Sequence, residues 1–187
     1  MPPVSTNDLK TGMTLELDLG LVQVVDFQHV KPGKGHAFVR STLKNVRTGA
    51  VVDRTFRSDE KVERAIIDKR EMQFIYGEPD GLVFMDNETY EQMTVAAATL
   101  GDYTNFIIEG ESVVLLMYGN EVVGCELPAS VVLAVAQTDP GVQGDRVSGA
   151  RKPATLQTGL VVQVPLFVET GDALKIDTRT AEYITRA

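Results

Sequence analysis

The sequence predicts an all-β protein built from three small β-barrel domains, and three observations carry that prediction. Almost every periodic stretch is short and alternates apolar with polar residues, the period of a half-buried strand. Turns rich in glycine, proline and asparagine separate these stretches, and no long amphipathic helix lies between them. Charge changes in blocks: residues 1–64 carry a net +2, residues 65–127 a net −10 and residues 128–187 a net of zero, within −8 for all 187 residues. Units of about sixty residues are marginal alone, so neighbouring barrels are expected to share interfaces.

In residues 1–64, Leu21 to Val30 is β-branched and partly alternating, and Ala37, Val39, Ser41 and Leu43 alternate with Phe38, Arg40, Thr42 and Lys44. Pro32-Gly33-Lys34-Gly35 between them reads as the glycine-rich tip of a hairpin. Asn45 to Gly49 is a turn, Ala50 to Phe56 a further strand, and the run from Thr55 to Glu63 loses strand character and becomes highly charged. In residues 65–127, Met72, Phe74 and Tyr76 alternate, Gly77 to Gly81 turns, and Leu82 to Asp86 is a strand. Asn87 to Met93 has the composition of a short helical turn capped by Asn87. Val113 to Tyr118 and Glu121 to Glu126 form a hairpin around Gly119-Asn120, and Pro128 closes the segment. In residues 128–187, Ser130 to Gln137 is a strand and Thr138 to Lys152 a loop. Leu160 to Val168, Ala173 to Asp177 and a last strand near Tyr183 follow. No repeat is visible by identity between the second and third segments.

Composition excludes several function classes. No apolar run approaches the eighteen or so residues that span a bilayer, so no membrane partner is expected. The first eight residues lack the basic and apolar blocks of a signal peptide. Cys125 is the single cysteine, which rules out an intrachain disulfide and suits a reducing cytoplasm. Two histidines and one cysteine supply little for a metal site, and neither metal nor cofactor is expected.

Lys34 has three candidate roles. It does not fit a P-loop, which needs four residues between its glycines and a Gly-Lys-Ser/Thr leading into a helix; here Gly35-His36 and a strand follow. A catalytic amine needs burial or a neighbouring cation, and a hairpin tip offers neither by itself. A contact or modification site needs only exposure and reach, with an ordinary solvated turn lysine as the competing reading. Asp86 and Glu88 read as acidic surface, His29 and His36 as polar flanks of the hairpin, and Cys125 as a small core residue. The loop Asp139 to Arg146 combines glycines with positive charge from Arg146, Arg151 and Lys152. It reads as either solvated loop or RNA contact.

Three runs of residues, in order along the chain, resemble bacterial elongation factor P of the elongation factor P and initiation factor 5A superfamily. They are His29-Val30-Lys31-Pro32-Gly33-Lys34-Gly35-His36-Ala37-Phe38-Val39-Arg40; Met72 to Tyr76 with Phe84-Met85-Asp86 and Thr89-Tyr90-Glu91-Gln92; and Lys152 to Gly159 with Val162 to Val168 and Ile176 to Thr180. The resemblance covers essentially the whole chain. It implies an L-shaped, tRNA-like arrangement of an SH3-like KOW domain over residues 1–64, an acidic OB domain over 65–127 and a C-terminal OB domain over 128–187. It implies a monomeric, non-enzymatic cytoplasmic factor that binds both ribosomal subunits between the peptidyl and exit sites and relieves stalling at consecutive prolines. By matching position, Lys34 would meet the CCA end of peptidyl-tRNA from a tip made of Pro32, Gly33, Gly35 and His36. Family members carry this lysine either modified, which implies a modifying enzyme, or bare, and His36 departs from both loop patterns. Gly144 and Asp145 match a loop implicated near the exit-site codon, where Arg146 stands in place of threonine. The acidic middle domain suggests a basic stalk protein as a neighbour. The alternatives are the elongation factor P-like paralogue, whose tip usually carries arginine, and a general OB-type RNA-binding module.

Overall fold

The computed structural model describes residues 2–141 and 149–187, and the chain is all-β, with three sheets following one another along it. The first sheet contains β1 (Pro3–Ser5), β2 (Thr14–Leu17), β3 (Gly20–Val30), β4 (Phe38–Asn45), β5 (Val51–Arg57) and β6 (Lys61–Ala65), in the order β1-β6-β2-β3-β4-β5. Alternation on β3 and β4 buries Val22, Val24, Val39 and Leu43 against Leu15 and Phe56. The edge strands β1 and β5 are joined through the turn that follows β1. Thr6 donates its backbone N–H to the Glu60 carbonyl at 2.8 Å and its hydroxyl to the Arg57 carbonyl at 2.7 Å. The last carbonyl of β5, at a sheet edge, is thus paired. The charged run after Arg57 contains strand β6, contrary to its sequence reading. Only Val62 and Ala65 are buried in it, too sparse a pattern to show a period.

Packing divides the chain into two compact units, Met1–Lys69 with Leu116–Gly124, and Arg70–Leu115 with Cys125–Ala187. The second sheet contains β7 (Asp68–Glu78), β8 (Gly81–Asp86), β9 (Gln92–Ala96), β10 (Ser112–Tyr118) and β11 (Glu121–Glu126), in the order β11-β10-β7-β8-β9. In the first unit Val123 packs with Leu21 and Ala65. Tyr118 donates to a Glu16 carboxylate oxygen at 2.7 Å, and Arg47 pairs with Glu121 at 2.8 Å. In the second unit the Phe74 and Phe84 rings lie 5.5 Å apart. A bulge between Phe74 and Tyr76 inserts one residue on β7 and breaks the alternation. Met72 and Phe74 are therefore buried while Tyr76 is exposed. After β9 a short helix α1 (Ala97–Leu100) and a 3-10 turn over Gly101–Phe106, which the sequence reading did not foresee, bury Leu100 and Phe106.

The third sheet contains β12 (Ser130–Thr138), β13 (Arg151–Leu156), β14 (Val161–Pro165), β15 (Ala173–Asp177) and β16 (Tyr183–Arg186), in the order β14-β13-β12-β15-β16. Its core is mainly aliphatic, with Leu133, Val135, Leu156, Val162, Val164, Leu174 and Ile176 clustered with the Phe106 ring. Strand β13 was hidden in the sequence by Pro153, which reads as a breaker. The ladder from β13 to β12 begins only at Ala154, so Pro153 lies where β13 pairs with β14 alone.

One loop recurs in all three sheets, although identity does not reveal it. Asn45-Val46-Arg47-Thr48-Gly49-Ala50, Asp86-Asn87-Glu88-Thr89-Tyr90-Glu91 and Asp177-Thr178-Arg179-Thr180-Ala181-Glu182 share one hydrogen-bond plan. The first side chain accepts from the backbone N–H groups two and three residues on, at 2.7 to 3.2 Å. The first residue's N–H donates to the sixth carbonyl, and the fifth N–H returns to the first carbonyl. The fifth residue has positive φ each time: 72° at Gly49, 60° at Tyr90 and 57° at Ala181. That angle costs a residue with a Cβ about 1–2 kcal/mol. The helical turn expected over residues 87–93 is thus this loop followed by the start of β9, and Asp86, not Asn87, accepts the capping N–H groups.

Candidate functional site

The hairpin β3–β4 runs past the core of its sheet. A bulge between Val24 and Asp26 turns β3, and Asp26 to Val30 then pair with Thr42 to Phe38. Residues 31–37 connect the two strands, and Lys31 through His36 are exposed. Lys34 is exposed, and among the described residues its ammonium has no ion pair and no hydrogen bond. The loop exit is fixed where Ser58 donates its N–H to the Ala37 carbonyl at 3.0 Å. Gly35 has φ 120°, and a Cβ placed there would lie 3.7 Å from Pro32 Cγ, an ordinary contact. Backbone angle, not space, therefore demands glycine at 35. Gly33 lies outside the positive-φ region with open space around it, so its permissiveness goes unused. His29 meets the Phe27 ring edge-on with centroids 5.5 Å apart.

Register decides what stands behind the tip. Val39, Ser41 and Leu43 are buried, so Phe38, Arg40 and Thr42 occupy the opposite face of β4. Their cross-strand partners share that face. One row is Val30, Phe38 and Arg57; the next is Gln28, Arg40 and Thr55; the third is Asp26, Thr42 and Asp53. Arg40 and Arg57 are diagonal neighbours, about 7–8 Å apart. Neither makes an ion pair through its side chain among the described residues. Arg54, on the inner face, is already engaged. Its guanidinium bonds Asp18, holding that carboxyl below the usual carboxylate range, and lies 5.4 Å from the centre of the Phe56 ring. The distal end of the hairpin thus carries Lys31, Lys34, Arg40 and Arg57 as available cations, with Phe38 and Val30 as an apolar floor. Sequence alone singled out Lys34; Arg57 joins it only through β4–β5 pairing.

The tip residues Pro32, Gly33, Lys34, Gly35 and His36 form one loop. Gly144, Asp145 and Arg146 lie outside the described residues. Lys152 was read as positive charge for their loop, but it is 8% exposed and its Nζ donates to the Asp139 carbonyl. Its charge is committed inside the third sheet. Asp86 is occupied by the N–H groups of Thr89 and Glu88, which hold its carboxyl below the usual range. Cys125 is buried, and desolvation pushes its thiol up to about 12, far from a nucleophile's range. No group of His, Cys, Asp or Glu among the described residues could hold a metal ion. A cleft of about 470 Å³ in the second unit is lined by Phe74, Leu82, Ile107, Glu109 and Thr158, with Glu109 as the one ionisable side chain among the described residues in its lining.

Three family models match in succession: the elongation factor P KOW-like domain over residues 5–62, the elongation factor P OB domain over 67–125, and the elongation factor P C-terminal domain over 131–186. Elongation factor P of Moorella thermoacetica is 53% identical over 98% of this chain and 100% of its own length. That of Acidothermus cellulolyticus is 56% identical over 98% of each chain. Among solved structures, an initiation factor 5A from Methanococcus jannaschii superposes with a TM-score of 0.53 at 27% identity, over 66% of this chain and 88% of its own. An initiation factor 5A family protein from Naegleria fowleri, at 14% identity and a TM-score of 0.57, shows the shared fold over 67% of this chain and 96% of its own. With three matched domains in order and more than half of its residues identical to such relatives, this chain belongs to the elongation factor P family of translation elongation factors.

Proposed function

We propose that this protein acts on the ribosome between the peptidyl and exit sites, without a reaction of its own, and that Lys34 is its working end. The observation that carries the reading is Lys34 itself: exposed, unpaired among the described residues, and held at the end of a two-stranded arm by a backbone that Gly35 alone permits. A cation on such an arm suits contact with the phosphates at the CCA end of peptidyl-tRNA, and Arg40 and Arg57 suit the adjoining backbone. Proline is a constrained, poor nucleophile, and consecutive prolines pull the peptidyl ester out of alignment. Holding that ester in a productive pose lowers the barrier by several kcal/mol through positioning, while ribosomal RNA does the chemistry.

The same reading takes residues 1–64, 65–127 and 128–187 as the three domains of a cytoplasmic monomer that meets both ribosomal subunits. Gly144, Asp145 and Arg146 then serve near the exit-site codon, and the acidic middle domain neighbours a basic stalk protein. An extension added to Lys34 by a modifying enzyme would lengthen its reach; an intact mass from the native host distinguishes the extended from the bare lysine. The direct test is Lys34→Ala in the synthesis of a reporter containing Pro-Pro-Pro. The variant is expected to melt like the parent and to lose rescue of the stalled step. Unchanged reporter synthesis would overturn the proposal.

A further inference from the structure

The loop shared by the three sheets contains an anomaly at its fifth position. The first sheet places Gly49 at the positive-φ site and the third places Ala181, whereas the second places Tyr90. A bulky aromatic is poorly suited to that backbone, which glycine adopts without strain. Local geometry therefore does not account for Tyr90, because the same hydrogen-bond plan closes around Gly49. Nor does burial account for it. Tyr90 is 72% exposed, the most exposed of the large hydrophobic residues among those described. Its hydroxyl has no hydrogen-bond partner among the described residues.

Resting on the reading of this protein as a ribosome-bound factor, we propose that Tyr90 is an anchor that docks a cationic protein surface, with an arginine or lysine of the partner over its ring. Strain tolerated at an exposed position is commonly retained for what the side chain contacts, and tyrosine is enriched among residues that dominate interfaces. The surroundings select the partner's chemistry. Glu88 and Glu91 flank Tyr90 and are exposed, and the segment from 65 to 127 carries a net −10. That field repels nucleic-acid phosphate and attracts basic side chains, while the face of the ring binds a cation directly.

The experiment uses the full-length chain and ribosomes from the native host carrying a peptidyl-site tRNA. Tyr90→Gly and Tyr90→Asn both suit positive φ, so both are expected to melt no lower than the parent and to bind ribosomes about tenfold more weakly. Tyr90→Phe keeps the ring and is expected to bind within about twofold of the parent. A photo-reactive p-benzoylphenylalanine at position 90 is expected to cross-link to a ribosomal protein. Parental binding by the glycine and asparagine variants overturns the anchor, as does a cross-link to ribosomal RNA or none at all. A lowered melting temperature in both variants overturns the strain argument on which it stands. Failure of the parent chain to bind ribosomes at all brings down the functional reading itself, an outcome distinct from retained binding that is indifferent to position 90.

Discussion

Gly35→Ala tests whether the tip presents Lys34 in a preset pose. The new Cβ would lie 3.7 Å from Pro32 Cγ, so it meets no clash, and the whole penalty comes from holding an alanine at φ 120°. Backbone held in a sparsely populated region of this kind costs about 1–3 kcal/mol. Residues 31–36 are exposed, so the loop relaxes to another conformer instead of unfolding its sheet. The occupancy of the original pose should then fall by about 5- to 150-fold, at about 1.4 kcal/mol per tenfold. Stimulation of a Pro-Pro-Pro reporter at limiting factor should fall within that range, with the melting temperature unchanged within about a degree. Gly33→Ala is the internal control: without positive φ and with open space around it, this substitution should be close to neutral in both assays. Full activity in Gly35→Ala would refute the idea that a fixed backbone presents the lysine. A large fall in melting temperature would refute the claim that the strain is local.

Arg57→Ala and Arg40→Ala should each weaken ribosome association and reduce its salt dependence by about one counterion, whereas Lys152→Gln should act mainly through stability, because Lys152 is buried. An unchanged salt slope in both arginine variants would remove this face from the interface. Ser41→Ala should leave stability unchanged or raise it by about 1 kcal/mol, since the Ser41 hydroxyl is fully buried with no hydrogen-bond partner among the described residues; a loss of more than that in thermal unfolding would reveal a partner. Cys125 should resist a thiol reagent at pH 8 until the protein unfolds. Its folded thiol is raised from 9.0 to about 12, so its contribution to stability is complete below pH 9 and is lost between there and pH 12 as the unfolded chain ionises first. Rapid labelling of the folded protein at pH 8 would contradict that burial.

Alternation and turn chemistry were enough to read an all-β chain, the β3–β4 hairpin and the β10–β11 hairpin, because those signals are local: a period of two and a glycine where a strand must reverse. The order of three family signatures was likewise legible in the residues themselves. Elements whose evidence is not local escaped. Strand β6 shows almost no period, and β13 carries a proline that is tolerable only because one side of it is unpaired there. The recurring loop was invisible to identity because its plan depends on an Asn or Asp, a threonine three residues on and a backbone angle, while the other positions vary. A search for that spacing, and not for identity, would have found it. Tertiary structure alone decided which charges are available. Cross-strand register brings Arg57 beside Arg40 behind Lys34, burial removes Lys152, and the bulge at β7 turns Tyr76 outward. Charge is written in the sequence, but its accessibility depends on which face and which neighbour a strand acquires when it pairs. That pairing is a property of the folded sheet and not of any single segment.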